Sequence, residues 1–210
     1  MTKGLTRAGI VATALQLLDE QGIHAVTARG LADRLGVRAP ALYWHVGSKQ
    51  EILDEMATEI HRRVARQLEA ELVADSWREG LATYARVLRR EYLKHRDGAR
   101  TFSGARVTDL GLLRAQEALL GRWTASGLSL ADAAAAGQLL TAFVVGFAIE
   151  EQERAQAGGE GYSIAAKDEE IGAEIPLEAG AGKLVLTPYD ERFEQYVEII
   201  LTGLEATLSR

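Results

Sequence analysis

Apolar residues recur every three or four positions along most of this chain, and that period constrains the fold more than any other feature. Ile52, Met56, Ile60, Val64 and Leu68 form one stripe, and Phe193, Val197, Ile200, Leu204 and Leu208 form another. Such spacing puts one apolar face on a helix. The Val, Ile and Thr alternation of a half-buried strand is nearly absent. The chain is therefore expected to be all-α. Its start and stop signals agree. Thr6 can cap a first helix through Ile10, Ala14, Leu17 and Leu18, stopped by Gly22. Thr27 can cap a second, short helix through Leu31 and Leu35, stopped by Gly36. Pro40 suits the first turn of a third, from Arg38 to His45, which Gly47 should end. Ser48 with Glu51, and Ser76 with Glu79, have the spacing of capping boxes opening two longer helices. Further helices are expected over about Leu110 to Ser126, from Ser129 through Glu150, and after Pro188. Residues 157–186, rich in Gly and acid, read as a long mobile loop with one helical turn near Ile171.

Charge divides the chain unevenly. Residues 1–50 carry six basic and three acidic side chains, a sum of +3; the whole chain carries −6, so the other 160 residues carry −9. A basic end on an acidic body fits a DNA reader joined to something else. There is no cysteine, which removes disulfides and thiolate metal sites and accords with a reducing cytoplasm. No run of 18 apolar residues free of charge stands out, so no membrane span is expected. The four histidines, His24, His45, His61 and His95, are scattered, and neither G-x-S-x-G nor H-E-x-x-H occurs. "GAGK" at Gly180–Lys183 fails the spacing of a phosphate loop. No cofactor and no enzyme activity are expected.

Residues 27–45 then carry the functional reading: helix, Gly-Val turn, second short helix. In a helix-turn-helix the second helix enters the major groove. Leu42 would face inward, with Val37 and Val46 closing a small core, while Ala39, Ala41, Tyr43 and His45 face out. Tyr43 can meet a thymine methyl or a phosphate, and Trp44 and His45 can donate to the backbone. Arg29 and Arg38 can reach guanine edges. Lys49, at a helix N-terminus, suits a phosphate. Thr27 and Pro40 complete this DNA-facing set.

The stretch "ALQLLDEQGIHAVTARGLADRLGVRAPALYWHVGSKQEILDEMA", Ala14 to Ala57, resembles the tetracycline-repressor (TetR) family of transcription regulators. "SWREGL", "HRDGAR", "GLSLADA" and "EEQE" extend the likeness more thinly. The resemblance implies a DNA-binding domain over 1–48, a linker helix over 49–72 and a ligand-binding and dimerisation domain over 73–210. It also implies a homodimer joined through the helices beginning near Ser129 and Asp190, a palindromic operator and a small-molecule effector. The positions where the tetracycline repressor holds its drug and its magnesium are here Ala65, Tyr84, Phe102 and Ala105. Only Arg106 and Glu150 remain as polar members. A more apolar pocket is implied, formed by Tyr84, Leu88, Phe102, Phe143 and Phe147, with Arg106 and Glu150 as orienting groups and no metal. The alternatives are a helical adaptor without DNA contact and, further off, a helical enzyme; salt dependence of binding separates the DNA reader from the adaptor.

Overall fold

The computed structural model describes residues 5–71, 76–102, 105–106, 109–157, 169–184 and 187–208. Among these residues it is all helix, without a strand. The helices are α1 (Arg7–Gln21), α2 (Ala28–Leu35), α3 (Ala39–Tyr43), α4 (Lys49–Glu71), α5 (Trp77–Leu93), α6 (Gly98–Phe102), α7 (Leu110–Ala125), α8 (Leu130–Gln156), α9 (Glu169–Glu174), α10 (Pro176–Leu184) and α11 (Tyr189–Leu208). A short 3-10 turn, Ile23–Ala25, follows α1. The chain falls into two compact units, residues 1–149 and 150–210.

Local chemistry sets the helix ends. The Thr6, Thr27 and Ser76 hydroxyls accept from the backbone N–H three residues on, at 3.1, 3.0 and 3.3 Å. The Ser48 hydroxyl accepts from Glu51 N at 3.1 Å, and the Glu51 carboxylate turns back to accept from Gly47 N at 2.6 Å. Each cap satisfies N–H groups that a helix start would leave unpaired. Gly22 and Gly36 take φ of 81° and 66° where α1 and α2 stop, a region that favours glycine. The third helix is shorter than expected. It ends at Tyr43, not at Gly47, because His45 N and Val46 N both turn back to the Leu42 carbonyl, at 2.9 Å each.

In the first unit, Ile10, Leu18, Leu31 and Leu42 form the core of the small N-terminal bundle. All five stripe residues of α4, from Ile52 to Leu68, are buried, as are Leu81, Leu88 and Tyr92 of α5. In the second unit the buried stripe of α11 runs Phe193, Val197, Leu201, while Ile199 stands 60% exposed. The expected loop over 157–186 needs correction where it is described. Residues 169–184 form α9 and α10. Residues 158–168 and 185–186 of that expectation lie outside the described residues.

The longest and most apolar helix is α8, and only 33% of its most apolar 18-residue stretch is buried. Its buried face is Ala133, Ala136, Leu140, Val144 and Ala148. Leu130 and Leu139 are exposed.

Candidate DNA-reading face and ligand cavity

The N-terminal helices are arranged as a helix-turn-helix. Gly36 turns the chain between α2 and α3. Leu42 and Val46 are buried beneath α3, and Val37 is half-buried. That leaves a face on which Arg29, Arg38, Pro40, Tyr43, Trp44 and Lys49 are exposed. Thr27, Ala39, Ala41 and His45 are half-buried at its edge. Trp44 is the most prominent ring, 86% exposed against 51% for Tyr43. Arg29 stands 4.0 Å from the Asp33 carboxylate, both of them open to water, so this pair holds little energy.

This face is clamped to what lies behind it. Arg7 on α1 donates to Glu55 at 3.0 Å and to the His45 carbonyl at 3.1 Å, and it also pairs with Glu51. One guanidinium thus joins α1, the end of α3 and the start of α4. The two α4 carboxylates hold its pKa above the ordinary arginine value. At the other end of α1, the turn between α5 and α6 takes hold. The Asp97 carboxylate accepts from Ile23 N at 2.7 Å, and His95 Nδ1 lies 2.9 Å from Asp19. After α6, Arg106 N donates to Asp54 at 3.0 Å, and Arg62 pairs with Asp109 at 2.8 Å. Both contacts return to α4.

A cavity of about 980 Å³ lies behind α4, walled by α4, α5, the end of α6, α7 and α8. Such a volume suits a small molecule. Ala65, Tyr84, Phe102 and Ala105, the positions at which the resemblance places a drug and metal site, all line it. Tyr84 donates to Thr141 Oγ1 at 2.7 Å, since that hydroxyl itself donates to the Gly137 carbonyl at 2.8 Å. Burial raises the Tyr84 phenol pKa, with the Thr141 bond opposing. Trp123, 3% exposed, meets Tyr84 edge-on at 5.6 Å. Its buried indole N–H has no hydrogen-bond partner among the described residues.

The other expected pocket residues lie outside the lining of this cavity. On α8 the cavity is lined by residues including Ala134, Gln138, Thr141 and Val145. At about 100° per residue, Phe143 and Phe147 fall on another face. They meet each other at 5.5 Å, and the Arg89 guanidinium lies 5.7 Å from the Phe147 ring. Leu88 is fully buried one turn beyond Tyr84 and does not reach the cavity wall. Arg106 is exposed, and its defined contact is through its backbone N–H. Glu150 is exposed and absent from the lining.

His61 is the residue that sequence reasoning passed over. It lines the cavity, its Nε2 lies 3.1 Å from the Tyr92 hydroxyl, and its ring lies 4.6 Å from that of Phe102, tilted by 32°. Burial lowers its pKa from 6.5 to about 4, so it is neutral at physiological pH. Its position beside the α4 stripe, four residues before Ala65, was the available signal. Among the described residues no group of three His, Asp or Glu gathers as a metal site.

An exposed helix-turn-helix face, tied through one helix to a walled cavity, defines the class: a ligand-responsive transcription regulator. Residues 10–56 match the family model for bacterial regulatory proteins of the tetR family, and residues 70–208 match the tetracyclin repressor-like C-terminal domain. The chain belongs to the TetR family. It is 38% identical over 155 residues to the Escherichia coli tetracycline repressor protein class D, covering 73% of this chain and 69% of that one. Among solved structures it is similar to a possible TetR family regulator from Streptomyces coelicolor A3(2), with 36% identity, TM-score 0.82, and 96% and 99% of the two chains covered. It is also similar to the Streptomyces coelicolor TetR family protein ActR in complex with (S)-DNPA, with 30% identity, TM-score 0.79, and 97% and 98% covered.

Proposed function

We propose that this regulator is a repressor, and not an enzyme, that works in the cytoplasm as a homodimer on a palindromic operator and is released by a small, largely apolar effector. The observation that carries the reading is the exposed set Arg29, Arg38, Tyr43, Trp44 and Lys49 on helices buried through Leu42 and Val46. Arg29 and Arg38 suit guanine edges, Tyr43 a thymine methyl or phosphate, and Trp44, His45 and Lys49 the phosphate backbone. Thr27, Ala39, Pro40 and Ala41 shape the contact around them. Two copies would put their α3 helices about 34–36 Å apart, in successive major grooves. Exposed apolar residues on α8, Leu130 and Leu139, and on α11, Tyr196 and Ile199, offer faces for the second copy.

The cavity is the proposed effector site, with Tyr84 and Phe102 in its wall. Phe102 and Ala105 carry no donor for a hard cation, so a magnesium-bound drug does not fit these positions. Phe102 ends α6, which begins directly after the turn that holds α1 through Asp97 and His95. An effector seated against Phe102 and α4 thus pushes on both attachments of the reading head. Converting a 1:99 balance of states into 99:1 takes about 5.5 kcal/mol of differential affinity.

Selection of the purified protein on random duplex DNA tests the reading. An inverted repeat with half-sites one helical turn apart is the expected result. Folded protein that enriches nothing at low salt would remove DNA reading and promote a helical adaptor in its place.

A further inference from the structure

The helix α3 has only five residues, and a helix that short is marginal alone, so its neighbours set its direction. Burial of Leu42 and Val46 attaches it, but burial is non-directional. Direction comes from hydrogen bonds, and these converge on the connector between α3 and α4. Within the connector, His45 N and Val46 N both donate to the Leu42 carbonyl. From α1, Arg7 engages the same segment with all three of its guanidinium nitrogens. Nε donates to Glu55 at 3.0 Å, one terminal nitrogen to the His45 carbonyl at 3.1 Å, and the other to Glu51. Glu51 continues the chain, because its second oxygen accepts from Gly47 N at 2.6 Å. Directly and through Glu51, Arg7 therefore holds two consecutive peptide groups just beyond the exposed rings of Tyr43 and Trp44.

Magnitudes indicate what this cluster does. The Arg7, Glu51 and Glu55 side chains are 46%, 36% and 26% exposed, and ion pairs so open to water contribute little to stability. Two carboxylates around one guanidinium leave the cluster net acidic, so it does not draw a phosphate. The Gly47 N–H, and then Arg7, hold the Glu51 carboxyl below the usual carboxylate range, which keeps it charged at neutral pH. What the cluster does supply is direction. Contacts to base edges need both distance and angle, so a small tilt of α3 removes discrimination before it removes attraction to the phosphate backbone.

We propose that Arg7 is a positioning residue for operator reading: it touches no DNA, and through the His45 carbonyl, Glu51 and Glu55 it sets the angle at which α3 meets the bases. The inference rests on the DNA-reading function proposed above and adds a residue outside the contact face that decides specificity. Lysine cannot replace it, since one ammonium nitrogen cannot span three acceptors in the fork geometry of a guanidinium.

The test compares the full chain with Arg7→Lys and Glu55→Ala. Each is titrated with the selected operator duplex and with a scrambled duplex of the same length and composition, over a series of salt concentrations. Arg7→Lys should bind the operator roughly tenfold more weakly, the equivalent of about one base contact, with scrambled-duplex affinity and salt slope unchanged. Denaturation should show little loss, because the folded head can settle at another angle, whereas operator binding reads that change in full. Glu55→Ala removes a negative charge, which alone would tighten binding to any DNA; its ratio of operator to scrambled affinity should nevertheless fall several-fold. Weakening of Arg7→Lys on both duplexes, or a salt slope shallower by about 0.9 on both, would mean that Arg7 contacts a phosphate, and would overturn the assignment. An unchanged ratio in both variants would overturn it too, whether or not stability falls, because the cluster would then be only a brace. Operator binding by the unaltered chain with such an unchanged ratio defeats this inference alone. Absence of operator binding by the folded, unaltered chain defeats the DNA-reading function on which it rests.

Discussion

Tyr43 and Trp44 stand 51% and 86% exposed on the reading head, whereas Tyr84 and Trp123 bring the same two ring systems into the cavity wall. The outer pair lies on a basic face and is supported by helices whose core does not need it. The inner pair is part of a core that surrounds an opening, and Trp123 is only 3% exposed there. The same chemistry therefore does two jobs. In water a large ring contributes nothing to folding and is available to a partner. Behind α4 it contributes to folding and to the shape of what can enter. Stability and binding should separate cleanly between the two pairs.

The largest effect should come from removing the inner indole. Trp123→Ala should destabilise the protein by about 3–5 kcal/mol, because a wall beside an opening cannot collapse to refill the space. Trp44→Ala should stay within roughly 0.5 kcal/mol of wild type. Chemical denaturation of the two variants measures both values, and equal losses would dissolve the distinction.

Next comes pH. His61 is neutral when folded, with its pKa lowered by burial from 6.5 to about 4. Between those values the unfolded chain binds the extra proton, so stability should fall as pH drops from about 6.5 toward 4. At 1.36 kcal/mol per pH unit the loss approaches about 3 kcal/mol. His61→Leu should remove this part of the acid sensitivity, as denaturation curves at a series of pH values would show.

Smaller still, Arg29→Ala and Tyr43→Ala should each weaken operator binding by about 1–3 kcal/mol with unchanged stability. Unchanged affinity in both would mean that the wrong face was chosen. The smallest change should be in Lys49→Ala, where the slope of log affinity against log salt should become shallower by about 0.9, the contribution of one phosphate contact.

Sequence alone was enough for most helix starts and stops because those signals are local. Thr6, Thr27 and Ser76 cap the helix starts they were expected to cap, and Gly22 and Gly36 supply the positive φ at two stops. Even there, the end of α3 depended on how His45 and Val46 share the Leu42 carbonyl, which no residue type announces. In the second unit, glycine content hid α9 and α10, since each helical glycine costs about 1 kcal/mol relative to alanine and a Gly-rich stretch therefore reads as loop. The cavity was harder for a different reason. Its wall comes from separate helices, so the face each one turns inward is set by packing and not by the residues beside it. Phe143 and Phe147 looked suitable by type yet lie off the lining face of α8. His61 looked isolated in the sequence, and only the approach of Tyr92 and Phe102 gives it a role.

The most direct test of the account is acrylamide quenching of Trp44 in a protein carrying Trp77→Phe and Trp123→Phe, with and without the selected operator duplex. At 86% exposure the ring should be quenched freely in the absence of DNA and become strongly protected on the operator. Quenching that does not change at saturating operator would show that this ring is not on the DNA-reading face, and would contradict the assignment of α3 as the helix that enters the groove.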